Sequence, residues 1–324
     1  MNFHGMFGWF MAVYYIQFVW SNYGGGLLKT SAERLGEAKH CSYIDGMNTE
    51  QLQLLKDILA VPTKTHEEER LVDFLVNYFD RKEVGIMKDD MGNLMVVKAE
   101  ADFDGYFPCV VAHTDTVHSI DSDHIDIRTV QRPNTCGEMR TALTGFKPGT
   151  VEPSGCGGDD KAGVFTCLML LEEFDKIKLF FPVAEETGCH GSKAANSDWF
   201  SDVGYFIQFD SPTNNTMSKT LLGRNLYSEH SPFGSKTMGL IQEHGITEHQ
   251  HHPYTDVATL GERFEVQCLN LAAGYYKMHQ PEEYVILDDV VNTMTLGKRL
   301  IDALGEKQYA KCLEEPDTVR ILTV

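Results

Sequence analysis

Two adjacent acids, Glu185-Glu186, close the apolar run 179–184. An ionised carboxylate held out of water must be paired or metal-bound, so this dipeptide needs something to consume its charge. Upstream stand His113-x-Asp115 and the run Gly157-Gly158-Asp159-Asp160-Lys161, and downstream stand Asp210 and His279. Imidazole and carboxylate donors in this mix suit zinc or its first-row neighbours. A divalent cation is the natural partner of such a set.

Each piece also has a plainer explanation. His-x-Asp can be an ordinary loop pair, and His279, which follows aromatic residues, can be a packed or exposed histidine. Asp159 and Asp160 stand where a glycine-rich turn feeds an apolar-periodic stretch, so both could cap a helix. Capping does not explain Gly157-Gly158 directly before them, which lets the backbone approach another object closely.

The elements that carry these residues follow from apolar patterning. His113 lies just past a short Val-rich run that reads as a buried parallel strand, and Asp210 ends a second such run, 203–209. Residues 264–274 read as another strand, with His279 on the loop that follows. The carboxyl edge of an open α/β sheet is where ligands bind. Asp115, two positions beyond His113, is placed to fix the second imidazole nitrogen. Helices are predicted near 49–59, with Asn48 or Thr49 as cap, and over 65–79, opened by a capping box of Thr65 and Glu68. A hairpin is predicted to turn at Gly92-Asn93, between strands near 84–88 and 93–98. Further helices are predicted near 235–244 and 287–304. The alternation predicts an α/β fold with a mixed, mostly parallel central sheet sandwiched by helices.

The ordered set His113-x-Asp115, Gly-Gly-Asp159-Asp160-Lys161, Glu185-Glu186-x-Gly188, Asp210 and Met278-His279 resembles the co-catalytic di-zinc exopeptidase superfamily. That group holds peptidase T, bacterial leucyl aminopeptidases, glutamate carboxypeptidases, acyl-amino-acid deacylases and the TET aminopeptidases. The resemblance covers roughly residue 47 to the C-terminus and implies the zinc-dependent exopeptidase (phosphorylase/hydrolase-like) fold. It implies two Zn2+ (or Co2+ or Mn2+) ions per chain. His113 and Asp210 would hold one ion and Glu186 and His279 the other, with Asp159 bridging them. Glu185 would be the general base, and Asp115 the second catalytic carboxylate, orienting His113. The activity implied is hydrolysis of short peptides, as an aminopeptidase. An amidohydrolase of N-acyl amino acids and a non-catalytic binding relative are the alternatives.

Spacing narrows the architecture. Only 69 positions separate Asp210 from His279, which leaves little for an inserted lid of ~50 residues or more. A single catalytic domain without a large lid is expected, although Gly-Gly-Asp-Asp-Lys resembles the lidded peptidase T branch more closely. The stretch 125–150 is expected to form a hairpin within a small insertion at about 120–150. Recognition of a peptide terminus could fall to Glu282, Glu283, Asp160 or Arg263. Asp256, in Tyr254-Thr255-Asp256, resembles a Thr/Ser-Asp segment that precedes the last strand in aminopeptidase-like members; it is either a support for the site or a turn residue. His249, His251 and His252 either line the cleft or lie on a solvated loop.

A chain of 324 residues, 42% hydrophobic, can bury a large core. Its net charge of −19 argues against nucleic-acid or anionic-membrane partners. The eight cysteines include no Cys-x-x-Cys pair, a pattern that suits reduced thiols in the cytoplasm. Cys156 and Cys189 flank the site motifs and are alternative ligands on paper. Residues 1–28 lack any Lys, Arg, Asp or Glu, and 11–20 are strongly apolar. This makes a weak membrane-anchor candidate, but glycines and polar residues interrupt it and no basic segment precedes it. Residues 1–46 are expected to be an appendage to a catalytic domain at 47–324.

Overall fold

The apolar runs that lead to the candidate residues become the middle of one sheet. In the computed structural model, which describes residues 43–44, 46–221, 224–250 and 254–311, four strands lie side by side and parallel. They are Cys268–Ala272, Val203–Ser211, Phe107–Val111 and Ile177–Phe181, in that spatial order. All four are buried along their whole length, as a parallel sheet covered on both faces requires. Leu94–Lys98 and then Gly85–Lys88 extend one edge antiparallel. Thr216–Ser218 adds antiparallel on the other, followed by the parallel edge strand Glu248–Gln250. The result is the expected mixed, mostly parallel sheet, eight strands wide.

Helices α1 (Thr49–Leu59), α2 (Glu69–Phe79), α3 (Gly158–Glu173), α4 (His190–Ala194), α5 (Pro232–Glu243), α6 (Asp256–Phe264) and α7 (Leu287–Leu304) flank it. Alternation along one strand shows why both faces are covered. Phe181 packs on Phe79 of α2 with ring centroids 6.0 Å apart, while Phe180, on the opposite face, packs on Phe200 at 5.0 Å. Phe200 in turn stacks on Phe264 at the end of α6. Fully burying such a ring contributes ~1.5–3 kcal/mol, so neither face of the strand can stay in water.

α1 and α7 span the segments expected of them. Asn48 forms a capping box with Gln51, accepting from the Gln51 N–H at 2.9 Å while its own N–H donates to the Gln51 side chain. The predicted helix over 65–79 instead starts at Glu69, and its capping box does not form. The Thr65 hydroxyl donates to Asp115 at 2.9 Å, and the Glu68 carboxylate accepts from the backbone N–H groups of His66 and Ala184. Leaving the buried Asp115 and Glu68 carboxylates and the buried Ala184 N–H unpaired would cost more than leaving a helix end to water. The predicted strand over 264–274 is shorter than expected: Phe264 ends α6 and the strand is Cys268–Ala272. The pattern Val257, Leu260, Gly261, Phe264 has a helical period, but nine residues are too few for it to stand out.

The stretch 125–150 forms the expected hairpin, Asp126–Pro133 with Met139–Phe146. It does not stand alone: Tyr284–Ile286 and Tyr275–Tyr276 complete a four-stranded antiparallel sheet around it. A small apolar cluster of Ala142, Tyr276, Tyr284 and Ile286 seals that sheet. At the other end of the chain Tyr43–Ile44 pairs with Met47–Asn48 in a short antiparallel ribbon. Expectations for residues 1–42, and for Cys312, His251 and His252, fall outside the described residues. Among the described residues no helix is long and apolar enough to cross a membrane.

Candidate metal centre

His113 leaves the strand Phe107–Val111 two residues past its end, and Asp210 occupies the penultimate position of Val203–Ser211. Glu185 and Glu186 follow Ile177–Phe181 on a loop whose Ala184 and Cys189 both take left-handed backbone (φ 53°). His279, also left-handed at φ 62°, sits in the turn between Tyr275–Tyr276 and Tyr284–Ile286. Non-glycine residues hold this conformation only where surrounding structure enforces it, and such positions gather at functional sites.

Asp159 and Asp160 part company. Neither has helical φ/ψ, and the peptide bond between them is cis. Asp160 is fully buried; its carboxylate accepts from the Gly163 N–H at 3.2 Å, as a helix cap does, and from the His113 N–H at 3.3 Å. Asp159 turns away and lies between the two histidines. Its Oδ1 is 3.1 Å from His113 Nε2 and its Oδ2 is 3.2 Å from His279 Nε2. Gly157 makes the turn possible, since at φ 64° a Cβ there would lie 2.5 Å from Thr116 Cγ2.

Each histidine also meets an acid of its own. Asp210 Oδ1 is 3.6 Å from His113 Nε2, and Glu186 Oε2 is 3.0 Å from His279 Nε2. Glu185 Oε2 stands 3.9 Å from His113 Nε2. The structure thus brings His113, Asp159, Glu185, Glu186, Asp210 and His279 into one cluster. Donor atoms of His113, Asp159 and Glu186 fall within 4.8 Å of one another, and so do those of His113, Asp160 and Asp210.

Asp115 has a wider role than orienting a histidine. His113 Nδ1 lies 3.0 Å from the Asp115 carbonyl oxygen and 3.4 Å from its carboxylate. A carbonyl only accepts, so Nδ1 carries the hydrogen and Nε2 faces the cluster. The Asp115 carboxylate itself accepts from the N–H groups of Glu185 (2.9 Å) and Glu186 (3.2 Å), besides the Thr65 hydroxyl. It therefore fixes the stretch of backbone that bears both glutamates.

The electrostatics of the cleft call for positive charge. Burial pushes Glu185 and Asp210 well above the usual carboxylate range, and neighbouring acids push them further. Burial also raises Asp256 to about 6 and lifts Glu186. Burial lowers the His113 pKa, but the close carboxylates of Asp115, Asp159 and Asp210 outweigh it and hold the imidazole well above its ordinary value. Hydrogen bonds donated to the Asp159 and Glu186 carboxylates lift His279 to about 10. Glu186 Oε1 is buried with no hydrogen-bond partner among the described residues. A buried carboxylate oxygen without a partner, whose other oxygen lies 3.0 Å from an imidazole, fits a cation ligand.

Two contributors, Asn93 and Tyr275, carried no recognisable signal of a site role in the sequence. Buried Asn93 accepts from Val183 N–H at 3.1 Å and donates to Gly191 O at 3.0 Å, pinning the glutamate loop. The Tyr275 hydroxyl donates to Asp210 Oδ1 at 3.3 Å. Asp256 is fully buried at the start of α6, where it accepts from Ser192 Oγ and Gln208 Nε2. It is a support beneath the loop and not an ordinary turn residue. Three candidates for terminus recognition are already engaged: Asp160 and Glu283 are buried among backbone donors, and Arg263 binds the carbonyls of Ser192 and Ala195. Cys156 directs its thiol at Glu283, and Cys189 Sγ lies 3.5 Å from Glu185 Oε1. His249 is exposed on the edge strand.

No protein-family model and no curated protein matches the chain. Its fold is nevertheless that of solved peptidases. Aminopeptidase PepT from Bacillus cereus ATCC 10987 superposes with a TM-score of 0.63, covering 78% of this chain and 98% of that one at 14% identity. A tripeptidase from Staphylococcus aureus subsp. aureus Mu50 gives 0.57 over 78% and 96% at 13% identity. Aminopeptidase APDkam598 from the archaeon Desulfurococcus kamchatkensis gives 0.56 over 78% and 94% at 16% identity.

Proposed function

We propose that this protein is a metal-dependent exopeptidase that removes residues from the amino end of short peptides, with Glu185 as general base. The observation that carries the reading is the Asp159 carboxylate shared between two histidines, each backed by a further acid. His113 and Asp210 would hold one ion, Glu186 and His279 the other, and Asp159 both. Zn2+, Co2+ or Mn2+ bound there would polarise the scissile carbonyl and lower the pKa of water from 15.7 towards about 7.

Glu185 takes a proton from the attacking water and returns it to the leaving amine, a contribution of about 10²- to 10⁴-fold. Its burial suits it to hold that proton between the two steps. Asp115, by gripping both glutamate N–H groups, keeps the base and its neighbour aimed into the cleft. Two successive glutamates thereby serve different ends: one holds charge in place and the other moves a proton. The catalytic domain is assigned to residues 47–324, with 1–46 as an appendage. The free thiols Cys109, Cys136, Cys156, Cys167, Cys189 and Cys268 support a cytoplasmic location.

The test is a substrate panel of free-amine peptides, N-blocked peptides and N-acyl amino acids, run on zinc-loaded protein. The wild type is expected to release amino-terminal residues from the first group. Glu185→Gln is expected to keep its metal and lose about 10²- to 10⁴-fold in turnover. Preference for N-acyl amino acids would move the assignment to an amidohydrolase. Inertness on the whole panel, or near-normal turnover by Glu185→Gln, would overturn it.

A further inference from the structure

Glu283 is the most heavily used carboxylate outside the cleft. It is fully buried, and four nitrogen donors converge on it. Oε2 accepts from the N–H groups of Gly157 (2.6 Å) and Cys156 (3.2 Å) and lies 2.9 Å from His118 Nε2. Oε1 accepts from the Asp159 N–H at 3.2 Å. The same loop makes one more contact to the same turn, the Gly155 N–H donating to Pro281 O at 2.7 Å. His118 is fitted into this assembly as well, because a Cβ on Gly155 would lie 2.3 Å from its ring.

The topology gives these contacts a consequence. Glu283 lies four residues beyond His279, and its carboxylate grips the backbone of Asp159 itself. The loop that presents one histidine therefore also holds the turn that presents the shared carboxylate, which stands 3.2 Å from that histidine. Among the described residues, Glu283 is the acceptor of the Asp159 backbone N–H. A charged acceptor for several backbone donors is among the stronger hydrogen-bonding arrangements in a fold.

We infer that Glu283 is a positioning residue for the metal pair: it sets the spacing between Asp159 and His279 and so the affinity of the ion those two share with Glu186. Fully buried, it acts through the placement of Asp159 relative to His279, which bears on the ion those two share and not on the one His113 and Asp210 hold. The inference rests on the metallopeptidase reading above.

The experiment is zinc titration of the metal-free full-length protein against a competing chelator, comparing wild type with Glu283→Gln. Glutamine keeps the volume but turns an NH2 group towards backbone donors. Melting and near-UV circular dichroism of the metal-free forms first establish that the variant is folded. One of two zinc affinities is expected to fall about 10- to 100-fold, the range found when an outer partner of a metal ligand is lost, while the other changes little. If the glutamine variant does not fold, His118→Leu probes the same carboxylate from its other side, and a smaller loss confined to one ion is expected. A folded Glu283→Gln, or failing that His118→Leu, with both zinc affinities at the wild-type level overturns the positioning role and leaves the metallopeptidase reading standing. A wild type that takes up no zinc overturns both.

Discussion

Within Gly157-Gly158-Asp159-Asp160-Lys161 each side chain answers to a different neighbour. Gly157 permits the turn, Asp159 faces the histidines, Asp160 caps α3, and Lys161 ties the turn to the protein beneath it. The buried Lys161 ammonium donates to Val61 O at 2.5 Å and to Cys156 O at 3.3 Å, and burial lowers its pKa to about 8. The unfolded chain therefore binds a proton that the folded one has shed between pH ~8 and ~10.5, so this group makes stability rise with pH across that window. Urea unfolding of wild type and Lys161→Met should show the difference moving in the wild type's favour as pH is raised from 8 to 10.5. An unchanged difference would contradict the buried charge. At this scale the ligand-type residues were legible because their chemistry is unusual in apolar surroundings. Their partners were not: the carboxylate of Glu283, the amide of Asn93 and the hydroxyl of Tyr275 look like those of any surface residue until the chain is folded.

At the scale of elements, the loop that carries Glu185 and Glu186 is held from three sides. Asp115 grips its N–H groups, Glu68 accepts from Ala184, and Asn93 bridges Val183 to Gly191. Glycine at 191 is needed for that bridge, since a Cβ there would lie 2.3 Å from Asn93 Oδ1. Asn93→Ala strands a buried N–H and a buried carbonyl, and is expected to cost ~1–3 kcal/mol of stability by denaturant unfolding. Because small displacements of a catalytic group are costly, kcat is expected to drop by up to ~10²-fold with metal retained. Normal turnover in this variant would mean that the loop is positioned by other contacts. The sequence gives α1 and α7 their limits plainly, through long amphipathic stretches with clear ends. It misleads at Thr65 and Glu68, whose spacing is that of a helix cap but whose side chains are claimed by the site. It is silent about α6, where a short helix abuts a strand and the two apolar patterns merge.

Across the whole molecule the acidic excess and the site are linked. Asp115, Asp159, Asp160, Glu185, Glu186, Asp210 and Asp256 interact within one buried region, where His113 and His279 are the basic side chains in contact with them. Cations that bind only the folded state stabilise it by mass action. With free zinc at 100 times its dissociation constant the gain is ~2.7 kcal/mol, worth ~4 °C in Tm for a chain of 324 residues. Calorimetry with and without a chelator should show that shift, restored by added zinc, and an unshifted Tm would argue against a structural stake in the metal.

The most direct measurement is anomalous diffraction at the zinc edge from crystals grown with zinc. Two peaks are predicted, both about 2.0–2.2 Å from Asp159 oxygens, one also bonded to His113 and Asp210 and the other to Glu186 and His279. An empty cleft, or zinc bound only elsewhere on the protein, would contradict the account.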